Sequence, residues 1–349
     1  MPDPRSRTTP NKAAAAALLL ALPAVCAGAG RRSSSSKPPP PVETLLDWSL
    51  EGPTSAYRGR MMFTQWFGKQ ARAEDVEVYH EGDRVRREFL APDGTPARVI
   101  VSDGERQEVH LVKKGKVLRG DAVKSYEKLM PPERERELLL KNYRLTASGP
   151  QDVAGRACWI LEIAPLVAGK PEQRLWIDQD THVVLENKRL LPGRAFAAMV
   201  RYTRFTPAAD LDDSLFELDD TTAAKAGKGL EPDFMTLEQL NAETGKHASL
   251  PAELPAGFVF ESADFFTVNK STVSHARYTD GLSVLSVFLT DKPVRLPKGA
   301  PAPQSGLPGA SLRLSSAGRL LQFRRGRAHY TLVGDVSKEL LQRIAKALQ

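Results

Sequence analysis

From Tyr57 onward the chain alternates. Tyr57, Gly59, Met61 and Phe63 fall on one side of an extended segment, and Arg58, Arg60, Met62 and Thr64 fall on the other. A period of two belongs to a strand with one apolar face and is incompatible with an amphipathic helix. Val76 and Val78 lead to a turn at Glu81-Gly82-Asp83, and Val85, Arg87 and Phe89 lead to another at Pro92-Asp93-Gly94. Two further short strands, 98–101 and 108–112, are separated by Asp103-Gly104, and Lys114-Gly115-Lys116 turns the chain again. Short strands punctuated by glycine turns predict an antiparallel meander.

Helical spacing brackets this meander. Residues 42–50 predict a short helix with Leu45, Leu46 and Trp48 as apolar contacts. Residues 121–142 predict two more, joined at Pro131-Pro132, the first carrying Val123, Tyr126 and Leu129 and the second Leu138, Leu139 and Leu140. Strands resume at 143–147, 157–164, 173–177, 183–191 and 197–205, and 210–218 closes the series. The expected architecture is α+β: an N-terminal curved antiparallel sheet, a half-open barrel, with helices covering its concave side. Residues 221–229, rich in Ala, Lys and Gly, open an expected linker over 221–246. A smaller α+β domain is expected over 247–349, after a large domain over 42–220. Its strands are 258–262, 274–278, 283–289, 312–314, 320–324 and 329–333, with a Pro/Gly-rich loop at 297–308. A final helix over 337–348 is capped by Ser337 and buries Leu340, Leu341, Ile344 and Leu348.

The first residues give an address. Arg5, Arg7 and Lys12 precede an apolar run over 13–25, and Ala27, Gly28 and Ala29 follow it. That order is the pattern of a secretory signal, expected over residues 1–29. The run is shorter than the ~20 residues that a spanning helix needs. A Ser/Pro tether over 30–41 connects it to the folded part, which is expected outside the cytoplasm. Cys26 falls inside the signal, and Val25 is a poor residue before a lipidated cysteine, so anchoring through Cys26 is not expected. Cys158 then stands alone, and the fold must hold by core burial without a disulfide. The whole chain carries a net charge of +7, and the three cations and one anion of residues 1–29 lower it by two, to +5. This modest excess suits an acidic protein or a phosphorylated lipid and is far from the composition of a nucleic-acid binder.

Motifs for chemistry are missing. His80, His110, His182, His247, His275 and His329 are all more than four residues apart, so no helical zinc pair exists. Nor is there a Gly-x-Ser-x-Gly elbow, a phosphate-binding loop or a dinucleotide fingerprint. No enzyme activity, metal or cofactor is expected. Two features remain as candidate binding sites. Tyr57, Met61, Phe63, Phe89, Trp159, Leu161 and Trp176 read either as ordinary core or as the lining of a cavity for an acyl chain. Arg313, Arg319, Arg324, Arg325 and Arg327 read either as a solvated strand face or as a docking face for an acidic peptide or lipid phosphate.

Short motifs then point to a family. They are Ser55-Ala56-Tyr57-Arg58-Gly59, Asp152-Val153-Ala154-Gly155-Arg156 and Arg174-Leu175-Trp176-Ile177-Asp178 in the first domain. In the second they are Leu254-Pro255-Ala256-Gly257-Phe258, the run from Tyr278-Thr279-Asp280-Gly281 to Phe288, and Tyr330 to Val336. In order and spacing the chain resembles the MucB/RseB family of periplasmic regulators of the sigma-E envelope-stress response. The resemblance implies a large domain like the lipoprotein carriers LolA and LolB and a smaller C-terminal domain. It also implies a non-catalytic protein that binds the periplasmic part of a membrane anti-sigma factor and releases it when lipopolysaccharide or lipoprotein acyl chains occupy the large domain. A LolA-like lipoprotein carrier is the alternative, and homodimerisation stays open.

Overall fold

The computed structural model describes residues 38–67, 70–121, 130–193, 196–218, 225–226, 234–244, 249–268, 271–292, 311–315 and 318–348. The expected signal, Cys26, the first of the two helices expected within 121–142 and the 297–308 loop lie outside the described residues. Two sheets carry the fold. In the first, β1 (Tyr57–Phe67), β2 (Gln70–Glu81), β3 (Arg84–Leu90), β4 (Pro96–Ser102), β5 (Arg106–Leu111) and β6 (Lys116–Asp121) form the expected meander. A second meander consists of β7 (Tyr143–Val153), β8 (Arg156–Pro165), β9 (Glu172–Asp178), β10 (Val184–Leu190) and β11 (Phe196–Pro207). Antiparallel pairing of β1 with β11 joins the two, and β12 (Lys225–Ala226) adds in parallel to β6. The glycine turns are as read: Gly82 sits at φ +57° between β2 and β3, in the left-handed region that glycine adopts without a Cβ penalty.

The expected half-open barrel at the N-terminus is overturned. The twelve strands run in the order β12-β6-β5-β4-β3-β2-β1-β11-β10-β9-β8-β7 and end on two separate edges, an open sheet. Closure needs the outer strands to share one interior. Here the two meanders grow outward from the central β1–β11 pair, and the apolar side chains divide between two clusters. In one, helices α1 (Val42–Glu51) and α2 (Pro132–Asn142) cover Trp159, Leu161, Ile163, Leu175 and Ile177 with Leu45, Leu46 and Leu139. The other joins Tyr57, Val76, Val78, Cys158, Trp176, Leu185 and Tyr202.

The curved half-barrel of this protein is C-terminal. Its strands are β13 (Glu253–Leu254), β14 (Phe258–Val268), β15 (Ser271–Thr279), β16 (Val284–Thr290), β17 (Ser311–Ser315), β18 (Gly318–Arg325) and β19 (Ala328–Gly334). They order as β13-β14-β15-β16-β19-β18-β17 around a single core that includes Tyr278, Leu285, Val287, Leu321, Tyr330 and Leu332. Within the stretch read as linker lies α3 (Leu237–Thr244), whose Leu240 is buried in that core. It opens on a reciprocal capping box: the Thr236 amide donates to Gln239 Oε1 and the Gln239 amide to Thr236 Oγ1. Helix α4 (Lys338–Ala347) packs Leu340, Leu341 and Ile344 into the same core, and the Leu340 amide donates to Ser337 Oγ at 3.2 Å, as the sequence predicts.

Candidate functional site

The apolar residues expected to line one cavity are sorted by the structure into different places. Trp159 and Leu161 lie beneath α1 and α2, and Tyr57 and Trp176 lie in the other N-terminal cluster. Met61 and Phe89 are half-buried at the margin of that second cluster, and Phe63 is half-buried on β1. The Tyr57 and Tyr202 hydroxyls meet at 3.2 Å, and the His80 imidazole stacks on Tyr57. Burial raises both phenol pKa values, so both stay neutral at physiological pH. Burial likewise pushes the Cys158 thiol up to about 12, which removes its thiolate reactivity. Beside Phe89 a surface concavity of about 530 Å³ is lined by Arg60, Arg72, Asp75, Leu90 and Arg98. The Arg98 guanidinium lies 3.6 Å from the centroid of the Phe89 ring.

Gly59 explains one of the family-like motifs. A Cβ there would stand 2.6 Å from Tyr202 Cε1, because the ring lies across the glycine, hemmed in by Tyr57 and Phe205. Gly59→Ala is therefore expected to cost about 1–3 kcal/mol by overpacking, read as a lower urea midpoint at unchanged slope.

The arginine stretch does not form one face. Arg319 donates to the Val336 carbonyl at 2.8 Å, just before α4, and Arg325 donates to the Leu348 carbonyl at 2.6 Å, at the other end of that helix. A cation at the last carbonyls of a helix satisfies orphan acceptors and complements the dipole. Arg324 turns back onto the Gly326 carbonyl and is exposed, as is Arg327. The side chain of Arg313 lies outside the described residues. Arg324, Arg325 and Arg327 are thus exposed, Arg325 while tied to the end of α4, and Arg319 is half-buried.

Two motifs of the first domain meet each other. Arg156 donates from Nε and Nη2 to both carboxylate oxygens of Asp178, at 2.6 and 2.9 Å. Asp178 also accepts from the Thr181 amide and hydroxyl, which shapes the turn between β9 and β10. Burial works against ionisation of this carboxyl, but Arg156 and Thr181 outweigh it and hold the pKa below its ordinary value.

The motifs of the second domain converge on the first. Asp280 is at the centre. Its Oδ1 accepts from the Leu282 and Ser283 amides at 3.0 and 2.7 Å, forming an Asx turn. Its Oδ2 accepts from the Tyr143 hydroxyl at 2.8 Å and lies 2.9 Å from Lys170 Nζ. The Lys170–Asp280 contact is an ion pair rather than an aligned hydrogen bond, and both side chains are 0% exposed. The rings of Tyr143 and Phe258 flank the ammonium at 5.1 and 5.5 Å. Asn142, at the end of α2, donates to the Asp280 carbonyl at 3.0 Å. Arg189 reaches Asp335 at 2.6 Å and the Leu282 carbonyl at 3.3 Å, and the Ser337 amide donates to the Gly169 carbonyl at 2.6 Å. Burial opposes the Arg189 charge, but Asp335 more than compensates and raises its pKa. Gly281, at φ +97°, lets the backbone of α2 approach so closely that a Cβ would lie 2.8 Å from the Leu139 nitrogen. Leu282 inserts into the cluster under α1 and α2. Sequence reasoning did not single out Lys170, Arg189 or Asn142, which have no local pattern.

One constellation has the order of a catalytic relay. His275 Nδ1 lies 2.9 Å from Asp264 Oδ1, and Nε2 lies 3.0 Å from Ser286 Oγ. Ser286 sits mid-strand, and β16 is paired on both sides, so its amides are committed to the sheet and form no oxyanion hole. The imidazole stacks on Phe288, and the three residues form a polar tie across β14, β15 and β16. Among the described residues no group of three or more His, Cys, Asp or Glu could hold a metal, and no helix is long and apolar enough to cross a membrane.

Residues 52–210 match the family model of the MucB/RseB N-terminal domain. A crystal structure of MucB in complex with MucA(peri) covers 87% of this chain and is itself covered to 97%, with 17% identity and a TM-score of 0.56. A second, of Pseudomonas aeruginosa MucA/MucB, covers 87%, is covered to 96%, and gives 18% identity and a TM-score of 0.57. At such identities the likeness is one of fold. No curated protein matches the chain by sequence.

Proposed function

Because residues 52–210 make this chain a member of the MucB/RseB family, we propose that it is a non-catalytic periplasmic regulator that binds the periplasmic domain of a membrane anti-sigma factor. The observation that carries the reading is the family match over the first sheet, extended by a shared fold across both sheets with a protein solved in complex with MucA(peri). Its task is to restrain an envelope-stress response, and that task needs binding surfaces rather than reacting groups. The backbone around Ser286, committed to the sheet on both sides, accords with this.

The finer part of the reading is a lipid signal. The half-buried Met61, Phe63 and Phe89, with a concavity beside Phe89 in which four cations outnumber Glu74 and Asp75, support an amphiphile with an acyl chain and an anionic head at the N-terminal sheet. Such a ligand displaces the partner only by binding better to the partner-free arrangement. Titrating the purified full chain with the periplasmic domain of the anti-sigma factor from the same organism tests both parts. A saturable complex that weakens when lipid is added is the expected result. No complex at high micromolar concentration overturns the regulator, and an affinity indifferent to lipid overturns the lipid signal alone.

A further inference from the structure

The two sheets have separate cores, and what joins them is mostly polar. Lys170, Tyr143, Asn142 and Arg189 come from the first sheet and its helices, and Asp280, Asp335 and the carbonyls of Gly257 and Leu282 come from the second. Leu282 is the member of the second sheet's loops that enters the first sheet's core. Interfaces of this polar kind between lobes favour relative motion over permanent union.

We propose that the Lys170–Asp280 pair is a clasp at which the two lobes part as rigid bodies, so that the closed arrangement is one of two discrete states. Closed, both charges have lost their water, and the Lys170 ammonium depends on Asp280, whose carboxylate also accepts from the Tyr143 hydroxyl and two amides. Parted, both charges hydrate. The attraction therefore contributes little net strength, since desolvation offsets it, but it makes a half-open arrangement unfavourable because an unpaired buried charge is strongly penalised. The glycines set the fit: with Gly281 against the Leu139 backbone and Gly257 against Asn142, the surfaces meet in one register. The proposal concerns the free chain and stands apart from the partner reading.

Hydrogen exchange on the free full-length chain tests it. The Ser337 amide, bonded to the Gly169 carbonyl across the junction, reports parting. In Lys170→Met it is expected to exchange about tenfold faster or more, while the centres of β8 and β19 keep their protection. Asp280→Asn retains an oxygen for the Asx turn and should act likewise. The double variant Lys170→Met/Asp280→Asn removes both charges and should return exchange to within about threefold of the parent, a non-additivity that a plain packing contact would not produce. Unchanged exchange in both single variants overturns the clasp. So does acceleration that includes β8 and β19, or a double variant as fast as the singles combined. Far-UV circular dichroism verifies that each variant is folded.

Discussion

Replacing Asp178 with alanine is expected to lower the unfolding free energy by about 3 kcal/mol, because it removes a buried carboxylate that accepts from a guanidinium, an amide and a hydroxyl at once. Arg156 loses the carboxylate that took two of its N–H groups and keeps only the exposed Asp180, and the Thr181 amide and hydroxyl lose their acceptor. The sign of the pH dependence follows from the depressed pKa. A carboxyl whose native value lies below its ordinary 3.8 contributes stability that is fully present above that value and is lost as pH falls through the native one. Urea unfolding at about pH 7 and about pH 3 should therefore show a gap between parent and variant that narrows in acid. A gap that persists or widens in acid contradicts this account.

Trp159→Ala is expected to cost about 3–5 kcal/mol, the range for deleting a large aromatic from a packed core. The side chain is 4% exposed in the cluster that α1 and α2 share with β8 and β9. This result decides between the two readings that the sequence left open. A residue lining an open cavity would lose little stability and much ligand affinity, whereas a core residue loses stability first. The urea midpoint at constant slope is the measurement.

Local patterns were legible wherever the cause was local. The period of two in β1 and the stripe of α4 follow from backbone geometry over a few residues, and Ser337 as a cap needs only its neighbours three positions on. The capping box at Thr236 and Gln239 was equally local and was available as a signal for α3. Closure of the first sheet was not legible. Each of its strands alternates in the same way whether the sheet closes or stays open, and only the pairing of β1 with β11 and the unjoined edges at β7 and β12 decide it. The arginines show the same limit, since charge in a row does not say that Arg319 and Arg325 hold the carbonyls at opposite ends of α4.

By itself the sequence determined the alternation, the turns, the closing helix, and the short motifs by which family membership could be suspected. It could not say what those motifs do for one another. Arg156 finds Asp178, Gly59 yields to Tyr202, and Asp280 receives Lys170 and Tyr143 from the other lobe. The reason is physical: secondary structure responds to neighbours along the chain, whereas the burial of a charge depends on groups brought together from far apart. A lysine between Gly169 and Pro171 is unremarkable in one dimension. Only when the two lobes close on it does it become a charge that must be paired.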